Sequence, residues 1–429
     1  MSGFCIAGLH GLRVWDSRGR PTVEVSVRLQ DGSIGRAIAP AGASTGSGEA
    51  TDRRDGGEPF GGYDVVGALQ AVSDEIAPAL AGMNASDQAA IDARLIELDG
   101  TANKSRLGGN AMIATSMAVA QAAAASPGLP LWRHLLGDAP AFLPLPEIQI
   151  FGGGAHAGRR VDIQDFMVIA VGAADYTEAL DWTAEVYRAA GELMADAGKL
   201  CGVADEGGYW PDFDNNEDAL SMLVRSIERA GLEPGRQVAI SLDIAASEFG
   251  KGGRYRLARD DRDLDSDGLI EMLLGWIETY PIVSIEDPLG EDDPDGFARF
   301  TKAVGGHVQV IGDDLLVTNA DRVLQAADHR RCNALLVKPN QAGTLSETKA
   351  AFDAARSAGF GAIVSARSGE TEDVTMVHLA VGWGAPQMKV GSFARSERMA
   401  KWNEGLRIAD DLGGRGALFP RDAFPWRPA

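Results

Sequence analysis

The sequence contains few cysteines. The three present, Cys5, Cys201 and Cys332, are odd in number and far apart in a chain of 429 residues. This spacing favours neither a disulfide framework nor a zinc knuckle. We expect the three to be small, buried apolar side chains.

The sequence also has no surplus of basic residues and no long apolar run. Its formal net charge is −21, so it has no basic excess to neutralise the phosphates of nucleic acid or of an anionic membrane surface. No apolar stretch is long enough to span a bilayer, and no basic and apolar leader opens the chain. We therefore predict a cytoplasmic protein that has neither nucleic acid nor a membrane as a partner.

A regular alternation of short apolar and longer amphipathic segments follows Pro146. The amphipathic segments predict helices over residues 176–198, 216–230, 267–280, 295–304, 319–327, 345–358, 374–381 and 395–412. The strands between them are predicted to end at Glu206, Asp243, Glu286, Asp313, Lys338, Ser365 and Lys389. This alternation favours a parallel (β/α)8 barrel, with an open doubly wound sheet as the alternative. Because the C-terminal ends of barrel strands share one mouth, the residues at these ends should converge on one site.

The N-terminal third has a different pattern. Residues 12–15, 21–29 and 33–38 predict an antiparallel meander, and residues 64–136 are predicted to be helical. The small, glycine-rich segment 40–48 is either a mobile lid or a plain linker. A proline-rich stretch over 139–146 suggests a domain boundary. We predict an N-terminal α+β cap domain over residues 1–138 and a barrel domain carrying the active site over residues 139–429.

Three acids lie at predicted strand ends: Asp243, Glu286 and Asp313. Any one of them could simply cap a helix. Three acids at the ends of successive strands would crowd into one cleft, where they would take up protons unless a cation compensated them. Hard oxygen ligands favour Mg²⁺ or Mn²⁺ over zinc. The sequence therefore predicts a metal site at the barrel mouth.

Two lysines, Lys338 and Lys389, also lie at strand ends. Beside a dication and a second ammonium group, the pKa of a lysine falls, so one of these amines could act as a general base near neutral pH. An amine next to metal-bound carboxylates suits the removal of a proton α to a carboxylate. The metal ions would then carry the negative charge that develops on the ene-diolate.

Three further groups have weaker signals. Glu206, in Asp205-Glu206-Gly207-Gly208, would suit a general acid opposite Lys338, or the segment is a plain turn. Arg367 and Ser368 could bind a phosphate, because a guanidinium and a hydroxyl together offer several donors. His156 lies in a glycine-rich loop, where a single histidine is more often structural than catalytic.

Taken together, these motifs resemble the enolase family over essentially the whole chain. They are DSRGRPTVEV at 16–25, GASTG at 42–46, DEGG at 205–208, SLD at 241–243, ASEF at 246–249, SIEDP at 284–288, GDDL at 312–315, SGETED at 368–373 and RSER at 395–398. The resemblance implies a modified (β/α)8 TIM-type barrel with an N-terminal α+β cap. It also implies a homodimer or homo-octamer, two Mg²⁺ ions per site and a small phosphorylated or phosphonylated three-carbon acid as substrate. A lysine base beside Mg²⁺ is already known from enolase-superfamily sites, so the predicted pairing is a match to known chemistry.

The resemblance assigns roles to individual residues. It implies that Lys338 is the base, Glu206 the acid, and Lys389 the lysine at the substrate carboxylate. The predicted ligands of the first Mg²⁺ are Asp243, Glu286 and Asp313, and Ser44 in the lid is a predicted ligand of the second. The residues predicted to line the substrate pocket, several of them around its phosphate, are Arg367, Ser368, His156 and Gln164.

Several positions depart from the family pattern. Ala366 stands where the family has a histidine, and Asp165 stands where it has a glutamate, which withdraws a catalytic carboxylate by one methylene. Gly152 replaces an asparagine, Ala204 replaces a glycine, and Ala41 replaces a serine. Shortening a catalytic side chain can cost roughly a hundredfold in rate. These changes cluster in the predicted site, while the predicted metal acids and both lysines are retained.

These departures leave three functional hypotheses. The first is a specialised enolase relative with an altered phosphoryl pocket, for example one that resembles carboxyphosphonoenolpyruvate synthase of phosphinate biosynthesis. The second is an ordinary enolase that interconverts 2-phosphoglycerate and phosphoenolpyruvate. The third, from another class, is a non-catalytic binding protein with the enolase fold.

Overall fold

The N-terminal part of the molecule is an antiparallel sheet covered by helices. A computed structural model of the chain describes residues 3–43 and 45–426. The sheet has the order β1 (Ile6–Trp15), β2 (Pro21–Leu29), β3 (Ile34–Ile38), which confirms the predicted meander. In β2 the side chains of Val23, Val25 and Val27 are all fully buried.

The helices of this part are packed against the sheet. They are α1 (Val66–Ala71), a π-helical turn (Val72–Ile76), α2 (Ala77–Leu80), α3 (Gln88–Asp99), α4 (Gly109–Ala125) and α5 (Leu131–Leu136). The alanine-rich helix α4 lies so close to β3 that a Cβ atom at Gly35 would come within 2.1 Å of the backbone nitrogen of Ala122. Only glycine fits at that position.

The second part is a closed barrel of eight strands. Its strands are β4 (Leu145–Gly152), β5 (Asp165–Ile169), β6 (Ala239–Asp243), β10 (Ile282–Glu286), β11 (Gln309–Gly312), β12 (Ala334–Val337), β13 (Gly361–Ser365) and β14 (Gln387–Gly391). Around the barrel their order is β10-β11-β12-β13-β14-β4-β5-β6. The closure confirms the barrel prediction over the open sheet. Strand β5 runs antiparallel to both of its neighbours, whereas the other pairings are parallel.

All eight helices predicted for the barrel are present. They are α6 (Tyr176–Asp196), α7 (Asn216–Arg229), α8 (Ser266–Thr279), α9 (Pro294–Val304), α10 (Ala320–Asp328), α12 (Leu345–Ser357), α13 (Thr375–Trp383) and α14 (Ser396–Asp411), with a short α11 (Pro339–Ala342) after β12. No helix among the described residues is both long and apolar enough to cross a membrane.

Besides the antiparallel direction of β5, two further features differ from the prediction. The prediction that a strand ends at Glu206 is wrong, because this residue lies in a turn and not in a strand. A three-stranded antiparallel sheet, β7 (Gly250–Lys251), β8 (Arg254–Leu257) and β9 (Arg262–Asp265), was not predicted. Its strands are short and mostly exposed, so they lack the apolar run that marks the barrel strands.

Most of the longer helices begin with a side-chain cap. In seven of them the residue before the first turn accepts a hydrogen bond from a backbone N–H of that turn; these caps are Asp87, Asp175, Asn215, Asp265, Asp293, Asn319 and Thr344. Such caps satisfy donors that a helix leaves unpaired at its N-terminus. Each cap therefore fixes the point at which a loop becomes a helix.

Candidate active site

The predicted metal acids lie at neighbouring strand ends on the barrel mouth. Asp243 and Glu286 are the last residues of β6 and β10, and they are direct partners in the parallel pairing of those strands. Asp313 follows β11 immediately. All three carboxyls are buried. Burial, reinforced by the charge of Asp243, raises the pKa of Glu286 well above its usual range.

The two lysines neutralise part of this charge. The Lys389 Nζ lies 2.8 Å from Asp243 Oδ2, 2.8 Å from Glu286 Oε2 and 3.4 Å from Asp165 Oδ2. The Lys338 Nζ donates to Asp313 Oδ2. Both amines are therefore held at the mouth: Lys338 directly follows β12 as predicted, whereas Lys389 lies within β14, which continues to Gly391.

The fall of a lysine pKa beside a dication stays a prediction; in the protein alone, the carboxylates that each amine contacts set the direction of its pKa shift. Burial lowers the pKa of Lys338, but the negative charges of Asp313 and Glu286 raise it, and the net direction is upward. Burial likewise lowers the pKa of Lys389, while Asp243 and Glu286 raise it well above its ordinary value. The reason is that each amine contacts carboxylates directly.

The acid side of the site is formed by Asp165, Glu206 and His156. Because β5 is antiparallel, its first residue, Asp165, lies at the same mouth as the last residue of β6, and Asp165 pairs with Asp243. His156 Nδ1 lies 3.5 Å from Glu206 Oε1. Glu206 therefore reaches the site from a turn, and Asp165 from the start of a strand.

The pKa values of the two carboxyls on this side, Asp165 and Glu206, are shifted in opposite directions. Burial raises the pKa of Glu206, but the charges of His156 and Arg398 outweigh it and lower the pKa overall. Burial raises the pKa of Asp165, and the opposing charges of His156 and Lys389 do not reverse the shift. Neighbouring acids with separated pKa values are typical of acid and base pairs in active sites. In this structure Asp165 is the carboxyl better suited to hold a proton.

The residues that are predicted to bind a phosphate, Arg367 and Ser368, lie on the opposite side of the same cavity. Arg367 Nη1 lies 3.0 Å from Glu49 Oε2 and donates to Asn340 Oδ1 at 3.0 Å. Ser368 Oγ accepts from Arg18 Nη1 at 3.2 Å. Burial lowers the pKa of Arg367, but the negative charges of Glu49 and Asp313 raise it, and the net direction is upward. Arg18 therefore stands beside the Ser368 hydroxyl, and Arg367 lines the same cavity.

Sequence reasoning assigned no role to Arg18, Glu49 or Asn340. Arg18 belongs to the DSRGRPTVEV motif, and Glu49 lies shortly after the GASTG motif, so the motifs marked these regions without indicating roles. Glu49 also accepts from the backbone N–H of Gly46 at 3.0 Å. Glu49 thus connects the segment 40–48 with Arg367.

The cavity between these groups is small, with a volume of about 20 Å³. It is lined by Ala43, His156, Gln164, Asp165, Glu206, Asp243, Lys338, Ser365, Ala366, Arg367, Ser368 and Lys389. Gln164 donates to Asp243 Oδ2 at 3.0 Å. Ala366 lines the wall, so the replaced histidine would have faced the cavity. Ser44, the predicted ligand of a second metal ion, lies outside the described residues.

The predicted metal acids suit a hard cation, because they offer only carboxylate oxygens and carry more negative charge than their buried position favours. Their side chains do not all point to one spot: Asp243 and Glu286 face Lys389, whereas Asp313 faces Lys338 and accepts from Gln341 Nε2 at 2.9 Å. Among the described residues, two other groups have potential ligand atoms mutually within 4.8 Å, namely His156 with Asp165 and Glu206, and Asp287 with Asp313 and Asp314.

A closed eight-stranded barrel with an N-terminal cap, and with acids and lysines facing each other at its mouth, is the architecture of a TIM-type barrel enzyme. Comparisons with known proteins identify the family. Residues 6–135 match the family model described as "Enolase, N-terminal domain", and residues 140–424 match "Enolase, C-terminal TIM barrel domain". The chain belongs to the enolase family.

Two curated relatives show how close the similarity is. Enolase 1 of Desulfitobacterium hafniense is 48% identical over 423 residues, covering 98% of this chain and 97% of the relative. The enolase of Acidothermus cellulolyticus is 47% identical over 420 residues, with the same shares covered. The similarity therefore extends through both the cap and the barrel.

Proposed function

We propose that this protein interconverts 2-phosphoglycerate with phosphoenolpyruvate and water. The observation that carries the proposal is the placement of one amine, Lys338, and two carboxyls, Asp165 and Glu206, around one buried cavity. Elimination of water needs a base for the α-proton and an acid for the departing hydroxyl. The two curated relatives, both named enolase, support this reaction.

Each group of the cavity has a part in this reaction. Arg367 and Ser368 bind the phosphoryl group, since a guanidinium and a hydroxyl donate several hydrogen bonds to an anion. Lys389 holds the substrate carboxylate. Lys338 removes the α-proton, and Asp165 or Glu206 delivers a proton to the leaving hydroxyl.

The metal sites remain part of the proposal. Asp243, Glu286 and Asp313 would hold one Mg²⁺, and Ser44 would contribute to a second. When bound, Mg²⁺ would offset the negative charge that develops on the substrate carboxylate. A cytoplasmic location and a homodimeric or homo-octameric assembly likewise remain predictions.

The specialised hypothesis has less support than the ordinary reaction. Ala366 and Asp165 motivated a role in carboxyphosphonoenolpyruvate synthesis within phosphonate biosynthesis. Similarity to proteins named enolase over nearly the full chain favours the ordinary reaction, in which both departures are tolerated. The direct contact between Asp165 and Gln149 gives a physical reason for such tolerance.

The proposal is tested by incubating the protein with Mg²⁺ and 2-phosphoglycerate in deuterated water. Phosphorus NMR should detect phosphoenolpyruvate, and proton NMR should show loss of the α-proton. Lys338→Ala should lower both rates by roughly a hundredfold to ten-thousandfold, because a positioned base contributes about that much.

Lys302→Ala is the matched control, because Lys302 is an exposed lysine on α9. It should leave both rates unchanged. Absence of phosphoenolpyruvate with the wild-type protein would contradict the proposed reaction. If α-proton exchange continued without dehydration, the acid side would serve another leaving group, and phosphonoformate-derived donors would be the next substrates to test.

A further inference from the structure

We infer that Gln149 is a positioning residue that holds the two site carboxyls, Asp165 and Glu206, in one arrangement. We also infer that the family departures at positions 152, 165 and 204 are fitted to it. The inference rests on the proposed function, because it concerns the acid side of that reaction. On this inference, the neighbouring residues compensate for the short side chain of Asp165, so the shorter side chain does not impair the site.

The side chain of Gln149 uses both ends of its amide. Gln149 lies in β4 and is 1% exposed. Its Nε2 donates to Asp165 Oδ1, and its Oε1 accepts from the backbone N–H of Gly208 at 2.8 Å. The backbone N–H of Gly208 can only donate, so Oε1 must face Gly208 and Nε2 must face Asp165, which fixes the orientation of the amide.

The second of these bonds reaches the turn that carries Glu206. In this turn Ala204 N donates to the Gly208 carbonyl at 2.8 Å, and Gly207 N donates to the Ala204 carbonyl at 3.1 Å. The turn is therefore closed on itself, with Glu206 at its centre. Through Gly208, Gln149 links this turn to Asp165 by a single side chain.

The space around the amide is closed by three small residues. A Cβ atom at Gly208 would lie 2.6 Å from Gln149 Oε1. A Cβ atom at Gly152 would lie 2.6 Å from the Cβ of Ala204 and 3.3 Å from both the Nε2 and the Oε1 of Gln149. The methyl group of Ala204 thus occupies space that a side chain at position 152 would need. The loss of a side chain at 152 and the gain of one at 204 are complementary changes.

The same argument applies to the lengths of Gln149 and Asp165. The two side chains meet in a direct hydrogen bond, so a further methylene at position 165 would displace this contact unless Gln149 is shortened. Returning Asp165 to the glutamate of the family pattern should therefore damage the site when made alone. Shortening Gln149 to asparagine should make the longer acid acceptable.

The test is a cycle of four proteins: wild type, Asp165→Glu, Gln149→Asn and the double variant. Each single variant should lower formation of phosphoenolpyruvate by roughly tenfold to a hundredfold, since small misplacements of a catalytic group have effects of this size. α-Proton exchange, which depends on Lys338, should stay close to the wild-type rate. The double variant should recover most of the lost dehydration rate. A purely structural role would lower exchange and dehydration together.

Thermal unfolding of the same four proteins provides a readout that needs no substrate. Each single variant should lower Tm, and the double variant should have a higher Tm than the two single shifts predict. If the wild-type protein forms no phosphoenolpyruvate, the proposed function is overturned but the inference is not. The Tm values of the four proteins then still decide whether the side chains of Gln149 and Asp165 are fitted to each other. Additive effects on Tm and on the dehydration rate would overturn the inference.

A second pair of variants tests the space at position 152. Gly152→Ala should lower the dehydration rate and Tm, because its methyl group would overlap that of Ala204. The double variant Gly152→Ala with Ala204→Gly should recover both. Gln237→Asn is the control for shortening a glutamine outside the site, where the side chain accepts one backbone hydrogen bond from Glu233 at 3.0 Å. Failure of the Ala204→Gly change to rescue Gly152→Ala would contradict the fitted arrangement.

Discussion

Glu147 is a buried carboxyl group next to the site that the proposed reaction does not use. It lies in β4, is fully buried and is the direct pairing partner of Lys389 in β14. Its Oε1 accepts from Ser241 Oγ at 2.9 Å, and its Oε2 has no hydrogen-bond partner among the described residues. Burial raises the pKa of Glu147 from 4.5 to about 7, although the charge of Lys389 opposes the shift.

This raised pKa predicts a particular dependence of stability on pH. Between pH 4.5 and about 7 the folded protein binds the Glu147 proton more tightly than the unfolded chain does. The contribution of this bound proton to the free energy of unfolding is therefore fully present below pH 4.5 and is lost as the pH rises through about 7. Glu147→Gln removes it. Relative to wild type, the variant should gain up to about 3 kcal/mol in free energy of unfolding between about pH 4.5 and about pH 8.

Urea denaturation of both proteins at a series of pH values measures this difference. Only the change of the difference with pH matters, so a constant offset caused by the new amide does not affect the result. Parallel curves for the two proteins would show that Glu147 does not titrate as its burial requires.

Sequence reasoning found the residues whose position follows from a parallel strand end. Asp243, Glu286, Asp313 and Lys338 each lie at or just after the end of a strand, so one rule located all four. Gln149 could not be found in this way, because its role depends on two contacts that only the folded turn near Gly208 provides. Contacts made across the fold leave no local pattern in the sequence.

Asp293 illustrates how one capping residue can join several elements. It precedes α9, and its Oδ1 accepts from the backbone N–H of Gly296 at 2.9 Å. Its Oδ2 accepts from Tyr255 Oη at 3.0 Å and from Ser266 Oγ at 2.5 Å. The carboxylate thus connects the start of α9 with β8 and the start of α8.

Asp293→Ala should lower the free energy of unfolding by roughly 2–4 kcal/mol, because it removes a cap worth about 1 kcal/mol and two further hydrogen bonds worth about 0.5–1.5 kcal/mol each. Asp87→Ala is the matched control. Asp87 is exposed and caps α3 through a single bond, from Ala90 N at 3.0 Å. It should cost about 1 kcal/mol. Equal losses in chemical denaturation would show that the contacts to Tyr255 and Ser266 contribute nothing.

At the level of elements, the sequence predicted the helices but not the direction of β5. An alternation of apolar and amphipathic segments indicates strands and helices without indicating which way a strand runs. The connection from β4 to β5 contains only a short 3-10 turn (Gly154–Ala157). A parallel pairing needs a longer crossover, usually a helix, so the missing helical pattern between residues 152 and 165 was the available signal. This reversal brings Asp165 to the barrel mouth.

At the scale of the molecule, a buried carboxylate joins the helices of the cap to the barrel. Asp92 in α3 is fully buried. Its Oδ1 accepts from Ser116 Oγ of α4 at 2.6 Å. Its Oδ2 accepts from the backbone N–H of Ser346 at 2.8 Å and from the Ser346 Oγ at 2.6 Å. Ser346 lies in the first turn of α12, a barrel helix, so this carboxylate receives donors from both parts of the molecule.

Loss of this carboxylate should loosen the contact between cap and barrel more than it disturbs either part. Asp92→Ala leaves the N–H of Ser346 without its acceptor and should lower the free energy of unfolding by roughly 3 kcal/mol, because hydrogen bonds to buried charged groups are worth about 1.5–3 kcal/mol. Hydrogen exchange should accelerate in α3 and in the first turn of α12. Exchange in the barrel strands should remain slow.

The cap also carries Arg18 and Glu49, which contact Ser368 and Arg367 at the phosphate side of the cavity. A loosened cap should therefore raise KM for 2-phosphoglycerate severalfold, while kcat, which depends on barrel residues, falls less. Asp353→Ala is the control on α12, the helix that contains Ser346. It removes an exposed ion pair with Lys349 at 2.7 Å and should change the free energy of unfolding by less than about 1 kcal/mol. Two outcomes would show that Asp92 supports the whole fold and not the contact between the cap and the barrel. One is faster hydrogen exchange spread evenly over the barrel strands, and the other is a decrease confined to kcat.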